Sequence, residues 1–218
     1  KGVSEKRISI VSNTPELNRY TQIPPKFENP AQDRFDLLYV GYLNVGRGID
    51  TVIKSIPKIR EIIKNFYFTV IGDGEYLDKL KRLANELGVD KNVIFLGWID
   101  AQFIPPYIHR SNACVVPHDA TDFVNTTIPN KLFDYMACKK AVIVSSAAPL
   151  KRLVNETDCG MVFRSGDVRD FTEKIIQLED PSLRNKKGLN GFMAVKSKYN
   201  WENDSQVLRQ AIRRMKPL

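Results

Sequence analysis

Short apolar segments alternate with amphipathic segments along most of the chain. The apolar segments are rich in β-branched and aromatic residues, which is typical of buried strands. They are DLLYVGY (36–42), FYFTVIG (66–72), VIFLG (93–97), ACVVP (113–117), AVIVS (141–145) and the shorter GMVF (160–163). Between them, apolar residues recur every three or four positions. This spacing predicts helices over 49–63, 76–87, 168–179 and 182–197, one after Pro129 and a last one that opens at Asn200.

Strands that are apolar throughout and are separated by helices indicate a parallel sheet with both faces covered. We therefore expect an α/β fold, a doubly wound Rossmann-like sheet of about six strands with helices on both faces. Residues 1–35 are rich in proline and asparagine and predict a hinge or linker that leads into a domain over 36–199. In such folds ligands bind beyond the carboxyl ends of the strands, so the candidate chemistry lies in the loops that follow them.

Composition narrows the class of protein. The 218 residues are 43% hydrophobic and 27% charged, a globular mix, and no apolar run is long enough for a membrane-spanning helix. The net charge of +8 suits phosphate-bearing ligands, an anionic membrane surface or nucleic acid. However, the basic residues are spread along helices and no nucleic-acid recognition element is visible, so we expect no nucleic-acid partner.

The cysteines and histidines give no sign of a metal site. Cys114, Cys138 and Cys159 are odd in number and widely spaced, which favours buried thiols in a reducing cytosol. The two histidines, His109 and His118, have no Cys or His partners at a metal-binding interval. We expect no metal and a cytoplasmic protein.

The helix after the fourth strand starts without an obvious capping side chain. Pro129 suits the first helical position, which puts Ile128 at the N-cap, where it offers no acceptor. The amides of Asn130 and Lys131 would then point out of the helix end without partners. Unpaired amides, the helix dipole and a lysine charge together make an anion site.

A carboxylate follows one turn later on the same helix. Because helical side chains lean toward the N-terminus, Asp134 can reach the region of the bound anion, where an acceptor-only group suits a pair of sugar hydroxyls. The competing interpretation is that Thr126 or Thr127 caps the helix and that Lys131 and Asp134 form a surface ion pair. Local features leave both interpretations open.

A glycine-rich turn follows the first strand. In GYLNVGRGID, Gly41, Gly46 and Gly48 allow a tight turn and close backbone approach, and Arg47 would lie near the anion. Taken alone, the turn is better explained as a strand-to-helix connection.

Taken in order, these segments resemble the C-terminal domain of GT-B glycosyltransferases of the retaining family 4 type, the group 1 glycosyl transferases. The resemblance covers nearly the whole chain. It runs through ISIVSN, which looks like the strand and hinge that enter this domain, YVGYLNVGRGIDTVI, VIGDGEYLDKLKRLANELGVDKNVIFLGWI, ACVVPH, PNKLFDYMACKKAVIVS and YNWEN. The order and spacing of the segments carry the resemblance.

The resemblance implies a role for each matching residue. Arg47 takes the place of the family's basic residue that contacts the donor diphosphate, and Asn130 and Lys131 lie where helix-start amides bind the same group. Asp134 matches the second acid of the family's E-x7-E pattern, which takes the ribose hydroxyls.

The nucleobase is expected in the loop that contains Trp98 and Ile99. The full set implied for the nucleotide sugar is Gly41, Arg47, Gly72, Trp98, Ile99, Thr126, Thr127, Asn130, Lys131 and Asp134, with Arg47 and Lys131 as the catalytic candidates.

Three positions depart from the family pattern. The first acid of E-x7-E falls at Thr126, which is not acidic, and Asp119 or Asp122 is a possible substitute. Tyr42 stands where many relatives carry an arginine. Asp134 is one methylene shorter than the usual glutamate.

The resemblance also implies what the protein does. The expected reaction is transfer of a sugar, with retention, from a UDP- or GDP-sugar to a glycan or lipid-linked acceptor in polysaccharide or cell-envelope glycan synthesis, without a cofactor. The acceptor-binding N-terminal half would be missing, residues 200–218 would cross toward it, and the isolated domain would be inactive. The resemblance is also compatible with peripheral association at the inner face of the membrane. The alternative is a non-catalytic nucleotide-binding or interaction module on the same fold.

Overall fold

The computed structural model describes residues 8–21, 33–122 and 124–214. The parts of the linker prediction that fall on residues 1–7 and 22–32, and the end of the helix prediction over 215–218, lie outside these ranges. The strands are β1 (Phe35–Val40), β2 (Phe66–Ile71), β3 (Val93–Gly97), β4 (Ala113–Val116), β5 (Ala141–Ser145) and β6 (Gly160–Phe163). The helices are α1 (Asn18–Thr21), α2 (Ile49–Ile62), α3 (Leu77–Glu86), α4 (Ile104–Arg110), α5 (Asn130–Ala137), α6 (Ala148–Thr157), α7 (Val168–Gln177), α8 (Pro181–Ser197) and α9 (Trp201–Arg214).

The strands form one parallel sheet in the order β3-β2-β1-β4-β5-β6. The chain builds β1, β2 and β3 outward in one direction and then returns to place β4 beside β1. This is a doubly wound sheet, and the predicted fold class is confirmed. The reversal of strand order between β1 and β4 fixes where a crevice opens at the carboxyl edge.

Two hydrophobic clusters cover the two faces of the sheet. One contains apolar residues of α2, α3 and α7, and the other contains those of α4, α5, α6 and α8. Every residue of the central strands β4 and β5 is buried, which explains their uninterrupted apolar sequences. The three cysteines are buried free thiols on or beside these elements.

Besides the four-residue α1, two helices were missed by the sequence pattern. α4 is only seven residues long and begins with Pro105 and Pro106 in its first turn, where proline removes no helical hydrogen bond. α6 likewise has Pro149 near its start. Proline is well tolerated in a first turn, so it did not rule out either helix. In α6 the buried Leu150, Leu153 and Val154 keep the helical spacing after Pro149, so a signal for this helix was present in the sequence.

The segment before the domain differs from expectation. A strand was expected in ISIVSN (8–13), but residues 8–16 carry no regular secondary structure and Ile8 and Ile10 are exposed. A strand needs a neighbour for its amides and carbonyls, and the six-stranded sheet provides none there.

The leading segment (residues 13–20) nevertheless packs against the domain. Its Pro15 carbonyl accepts a hydrogen bond of 3.0 Å from the Trp201 amide, and its Thr14 hydroxyl donates to Asp204 of α9. Tyr20 is buried in the second cluster, and His109 of α4 lies 2.8 Å from the Tyr20 carbonyl oxygen. The leading segment is therefore held at the carboxyl edge of the sheet.

Within the described ranges, none of the helices has the length and apolar composition that crossing a membrane requires.

Candidate functional site

Two loops meet above the point where the strand order reverses. One follows β1 (residues 41–48) and the other connects β4 to α5 (residues 117–129). The Asp119 amide donates to the Gly46 carbonyl at 2.9 Å. Gly48 has φ of +66°, and a Cβ there would lie 1.9 Å from the Pro117 carbonyl oxygen. Only glycine permits this approach, so the glycine-rich turn clamps the two loops together.

The Arg47 side chain extends from the first loop toward the second. Its Nε donates to Asn44 Oδ1 at 2.9 Å, and its Nη1 lies 3.5 Å from both ring nitrogens of His118. Burial first, and then the charges of Lys131 and Arg47, lower the pKa of His118 to about 3, so the ring is neutral at pH 7. Among the described residues Arg47 has no anionic partner, so its full charge is available to an external anion.

The start of α5 faces the same crevice without a cap. Pro129 is the N-cap in extended conformation, with φ of −67° and ψ of 134°, and the helix begins at Asn130. The expectation that Pro129 is the first helical residue is thus wrong by one position, because its ψ is not helical. Pro129 itself makes no side-chain cap hydrogen bond. Within the described chain, the amides of Asn130 and Lys131 have no partner.

The Lys131 amine is half-buried beside the first strand. Its Nζ lies 4.1 Å from the centre of the Tyr39 ring, and a Cβ on Gly41 would lie 2.3 Å from it. Burial, followed by the Arg47 charge, lowers the pKa of Lys131 to about 7, while the Asp134 charge acts in the opposite direction. No ion pair within 4.0 Å joins Lys131 to Asp134, so the surface-ion-pair interpretation is wrong as well.

The Asp134 carboxylate is half-buried under the leading segment. It accepts a hydrogen bond from the Tyr20 hydroxyl, and Arg19 lies near enough to act on its charge. Burial raises the pKa of Asp134 to about 6, and the Tyr20 hydrogen bond and the charges of Arg19 and Lys131 oppose this rise. A carboxylate accepts several hydrogen bonds, so the bond from Tyr20 leaves acceptor capacity for other hydroxyl groups.

Two adjoining cavities extend the site along the carboxyl edge. A cavity of about 270 Å³ is lined by Val40, Gly41, Tyr42, Ile71, Gly72, Asp73, Trp98, Ile99, Ala101 and Ile104. A second, of about 360 Å³, lies between the leading segment and α5 and is lined in part by Asn130 and Asp134. Both are lined by Val40, Ala101 and Ile104, so they are neighbours. An elongated ligand could therefore reach from the loop after β3 to the start of α5.

The structure brings most of the predicted site residues to this edge. The first cavity collects Gly41, Gly72, Trp98 and Ile99, and the α5 start places Asn130, Lys131 and Asp134 next to it. Thr126 and Thr127 are exposed, Thr126 in the short 3-10 turn Val124–Thr126 and Thr127 directly after it, in the loop that enters α5. Their predicted contacts with a sugar stay predictions.

Four residues of the site were not predicted as site residues. Asn44 and His118 flank Arg47, Tyr39 lies beneath Lys131, and Tyr20 bonds to Asp134. His118 directly follows a predicted strand, which was a signal for it. Nothing local marks Tyr20, because its partner is 114 positions away in the chain.

The Tyr42 side chain has a partner away from the cationic groups. Its hydroxyl donates to Glu75 Oε2 at 2.6 Å, and the residue is 56% exposed on the wall of the first cavity. Within the described residues, no group of three or more His, Cys, Asp or Glu side chains could hold a metal ion.

A comparison with known families decides what kind of protein this is. The family model described as "Glycosyl transferases group 1" matches residues 34–180, which is most of the chain. The chain belongs to the group 1 glycosyltransferases.

Similar proteins agree with this family. The glycosyltransferase chain is 23% identical over 171 residues to an alpha-D-kanosaminyltransferase of Streptomyces kanamyceticus, covering 77% of this chain and 42% of the relative. It is 23% identical over 200 residues to the lipopolysaccharide core biosynthesis glycosyltransferase LpsE of Rhizobium meliloti, covering 91% and 55%. The chain thus spans about half the length of these relatives.

Among solved structures, Anabaena Alr3699/HepE in complex with UDP and glucose superimposes with a TM-score of 0.75. The alignment covers 94% of this chain and 56% of that one, at 16% identity. At this identity the likeness shows a shared fold. The six-stranded parallel sheet of this group 1 glycosyltransferase is therefore the fold of a GT-B domain.

Proposed function

We propose that this group 1 glycosyltransferase chain binds a nucleotide-diphosphate sugar and that the sugar is transferred, with retention, to a glycan or lipid-linked acceptor. One observation carries the proposal. The Arg47 guanidinium, the Lys131 ammonium and the uncapped amides of α5 converge on the carboxyl edge at the reversal of strand order, and no carboxylate of the described chain forms an ion pair with either cation. Such a set of donors fits a diphosphate.

The rest of the donor fits the neighbouring surfaces. The ribose hydroxyls would bond to Asp134, and the nucleobase would enter the cavity of about 270 Å³ beside Trp98 and Ile99. A UDP- or GDP-sugar is the proposed donor, and the complex of the similar Anabaena protein with UDP and glucose supports this choice. No metal is needed in this scheme, because the two cations and the helix amides supply the positive charge.

The chemistry follows from where charge develops. As the bond between the anomeric carbon and the diphosphate oxygen breaks, negative charge grows on the departing diphosphate, and Arg47 and Lys131 stabilise it. A bond then forms from the acceptor oxygen to the anomeric carbon on the same face. The proton of the acceptor hydroxyl passes to the departing phosphate oxygen, so no side chain of this chain is required as a base.

The chain would be the C-terminal, donor-binding half of a family 4 enzyme. Residues 36–199 would form the donor domain and α9 would cross to an N-terminal acceptor domain. α9 has no buried residue and exposes Trp201, Leu208 and Ile212, which supports an additional partner for this helix. The lipopolysaccharide role in the name of the Rhizobium relative supports a cell-envelope acceptor. A cytoplasmic enzyme that acts at the inner face of the membrane fits this acceptor.

A ligand panel followed by product analysis tests the proposal. UDP, GDP, ADP, CMP and their sugars are compared by thermal shift and calorimetry, because a bound ligand stabilises in proportion to the logarithm of its occupancy. We expect UDP or GDP to stabilise the chain and its sugar to be transferred by the protein with its acceptor half, giving a product of unchanged anomeric configuration by NMR. Binding without any turnover in the two-domain protein would instead favour the non-catalytic module, and an inverted product would exclude retention.

A further inference from the structure

The Arg47 guanidinium rests on the face of the His118 ring. Its Nη1 is 3.5 Å from Nδ1 and 3.5 Å from Nε2. An in-plane approach at equal distances from both nitrogens would collide with the carbon between them, so Nη1 lies above the ring plane. Guanidinium groups stack favourably on flat aromatic rings in this way.

The His118 ring is a fixed platform. The residue is 1% exposed, and its carbonyl oxygen accepts a hydrogen bond from the Ser145 hydroxyl at the end of β5. The residues on either side are held too, because Pro117 packs against Gly48 and the Asp119 amide bonds to Gly46. The ring is therefore buried on a backbone that is held on both sides.

Two nearby cations help to keep the His118 ring neutral. Lys131 and Arg47 both act on His118, and with burial they hold its pKa far below 7. A neutral ring attracts the guanidinium, whereas a charged ring would repel it. The Arg47 side chain thus has two contacts: its Nε donates to Asn44 Oδ1, and its Nη1 lies on the His118 ring. Nη2 has no partner among the described residues and is left for a ligand.

We propose that His118 is a positioning residue for the donor diphosphate, because its ring face and Asn44 together fix the Arg47 guanidinium beside Lys131. This inference rests on the proposed function. His118 itself is covered by Arg47 and almost fully buried, so it acts through the arginine and not on the substrate. The advantage of a fixed arginine is that less side-chain entropy is lost when the anion binds.

Binding measurements on the 218-residue chain test whether His118 acts on the diphosphate through Arg47. The affinities of UDP and UMP, or of GDP and GMP if the guanine nucleotide is the better ligand, are measured for wild type, His118→Ala, His118→Phe, Arg47→Ala and the double variant His118→Ala/Arg47→Ala. The phenylalanine keeps a flat ring under the guanidinium, and Asn44→Ala releases Arg47 from its other side. Thermal melts report whether each variant folds.

We expect His118→Ala to weaken diphosphate binding about three- to tenfold, in keeping with the strength of guanidinium–ring contacts, and His118→Phe to restore most of it. Asn44→Ala should act in the same direction. Monophosphate binding should change less than twofold, and in the Arg47→Ala background the His118→Ala change should have no further effect.

Three outcomes would overturn the inference while leaving the proposed function intact. They are unchanged diphosphate affinity in folded His118→Ala, an equal loss for mono- and diphosphate, and a loss that persists without Arg47. If neither UDP nor GDP binds the wild-type chain, the proposed function fails and this inference fails with it.

Discussion

The Lys131 amine lies 4.1 Å from the centre of the Tyr39 ring, packed against a glycine and without a carboxylate at ion-pair distance among the described residues. A cation held in this way destabilises the ligand-free fold, because burial removes it from water and a second cation, Arg47, lies nearby. A bound diphosphate would supply the missing counter-charge. This arrangement therefore suits an anionic ligand, at some cost in the stability of the ligand-free chain.

Replacing Lys131 by methionine should stabilise the ligand-free chain at neutral pH. The pKa of Lys131 is lowered from 10.5 to about 7, so between these values the unfolded state binds more protons and the free energy of unfolding rises with pH. Lys131→Met should raise Tm at pH 7 and flatten this rise, while nucleoside diphosphate binding weakens. Thermal melts from pH 6 to 10 measure this, with Lys81→Met on exposed α3 as the control. An unchanged pH dependence would contradict the lowered pKa.

Removal of the Arg47 side chain should weaken diphosphate binding by about 1–3 kcal/mol, the range for charged hydrogen bonds, which is about 5- to 150-fold in Kd. The loss should shrink at high salt, since screening weakens the wild-type interaction. Calorimetry on Arg47→Ala measures it, and Arg82→Ala on the surface of α3 is the matched control. Equal affinities for Arg47→Ala and wild type would remove the proposed contact.

A methyl group on Gly41 should displace the Lys131 amine. The added Cβ would lie 2.3 Å from Nζ, and φ of +145° at this position disfavours any L side chain. Gly41→Ala should lose about 1–3 kcal/mol of stability and at least about tenfold in nucleotide affinity. Gly88→Ala serves as the control, because Gly88 also has positive φ but has open space around it. The control should lose stability and keep its affinity; a similar loss of affinity in both variants would show that backbone strain alone is responsible.

Loss of the Tyr20 hydroxyl should shift the acid limb of nucleotide binding to higher pH. The pKa of Asp134 is about 6, because burial raises it more than the Tyr20 hydrogen bond lowers it. Without that hydrogen bond the pKa rises further, and the carboxyl group stays protonated to a higher pH. Tyr20→Phe should also cost about 1 kcal/mol of stability. Titration of UDP affinity from pH 5 to 8 tests this. Tyr199→Phe removes an exposed tyrosine–carboxylate bond, to Glu156, and should leave the profile in place.

The Asp134 carboxylate should distinguish ribose from deoxyribose. If it accepts hydrogen bonds from the ribose hydroxyls, the wild-type chain should prefer UDP to 2′-deoxy-UDP by about tenfold or more. Asp134→Ala should bind both ligands about equally, because the acceptor is gone. Competition calorimetry with the two nucleotides gives the ratio directly. A preference that survives in Asp134→Ala would place the ribose elsewhere.

The main features of the fold were readable from local sequence. Strands such as AVIVS are apolar at every position because both of their faces are covered, and this pattern needs no knowledge of their neighbours. The helices α4 and α6 were not predicted, although both have prolines only in their first turns, where a helix tolerates them. The prediction of a strand before the domain was wrong, because a strand needs a neighbouring strand and the sequence of that segment does not show whether one is present.

The candidate site was readable only in part. Arg47, Lys131 and Asp134 follow predicted strands or open a predicted helix, and topology sends all such positions to one edge of the sheet. The contacts of these side chains could not be predicted, because Tyr20 beside Asp134 and His118 beside Arg47 come from distant parts of the chain.

The sequence by itself determined all six strands of the sheet, most of the helices, the parallel arrangement and the edge at which a ligand is expected, because strand burial, helix periodicity and glycine positions are local properties. Tertiary structure alone decided that Arg47 lies on the His118 ring and that Tyr20 bonds to Asp134. It also placed Lys131 on the Tyr39 ring with no acid of the described chain at ion-pair distance. Charge, burial and hydrogen bonding at a site are set by groups within a few ångströms in space, and those groups are tens of residues apart in the chain.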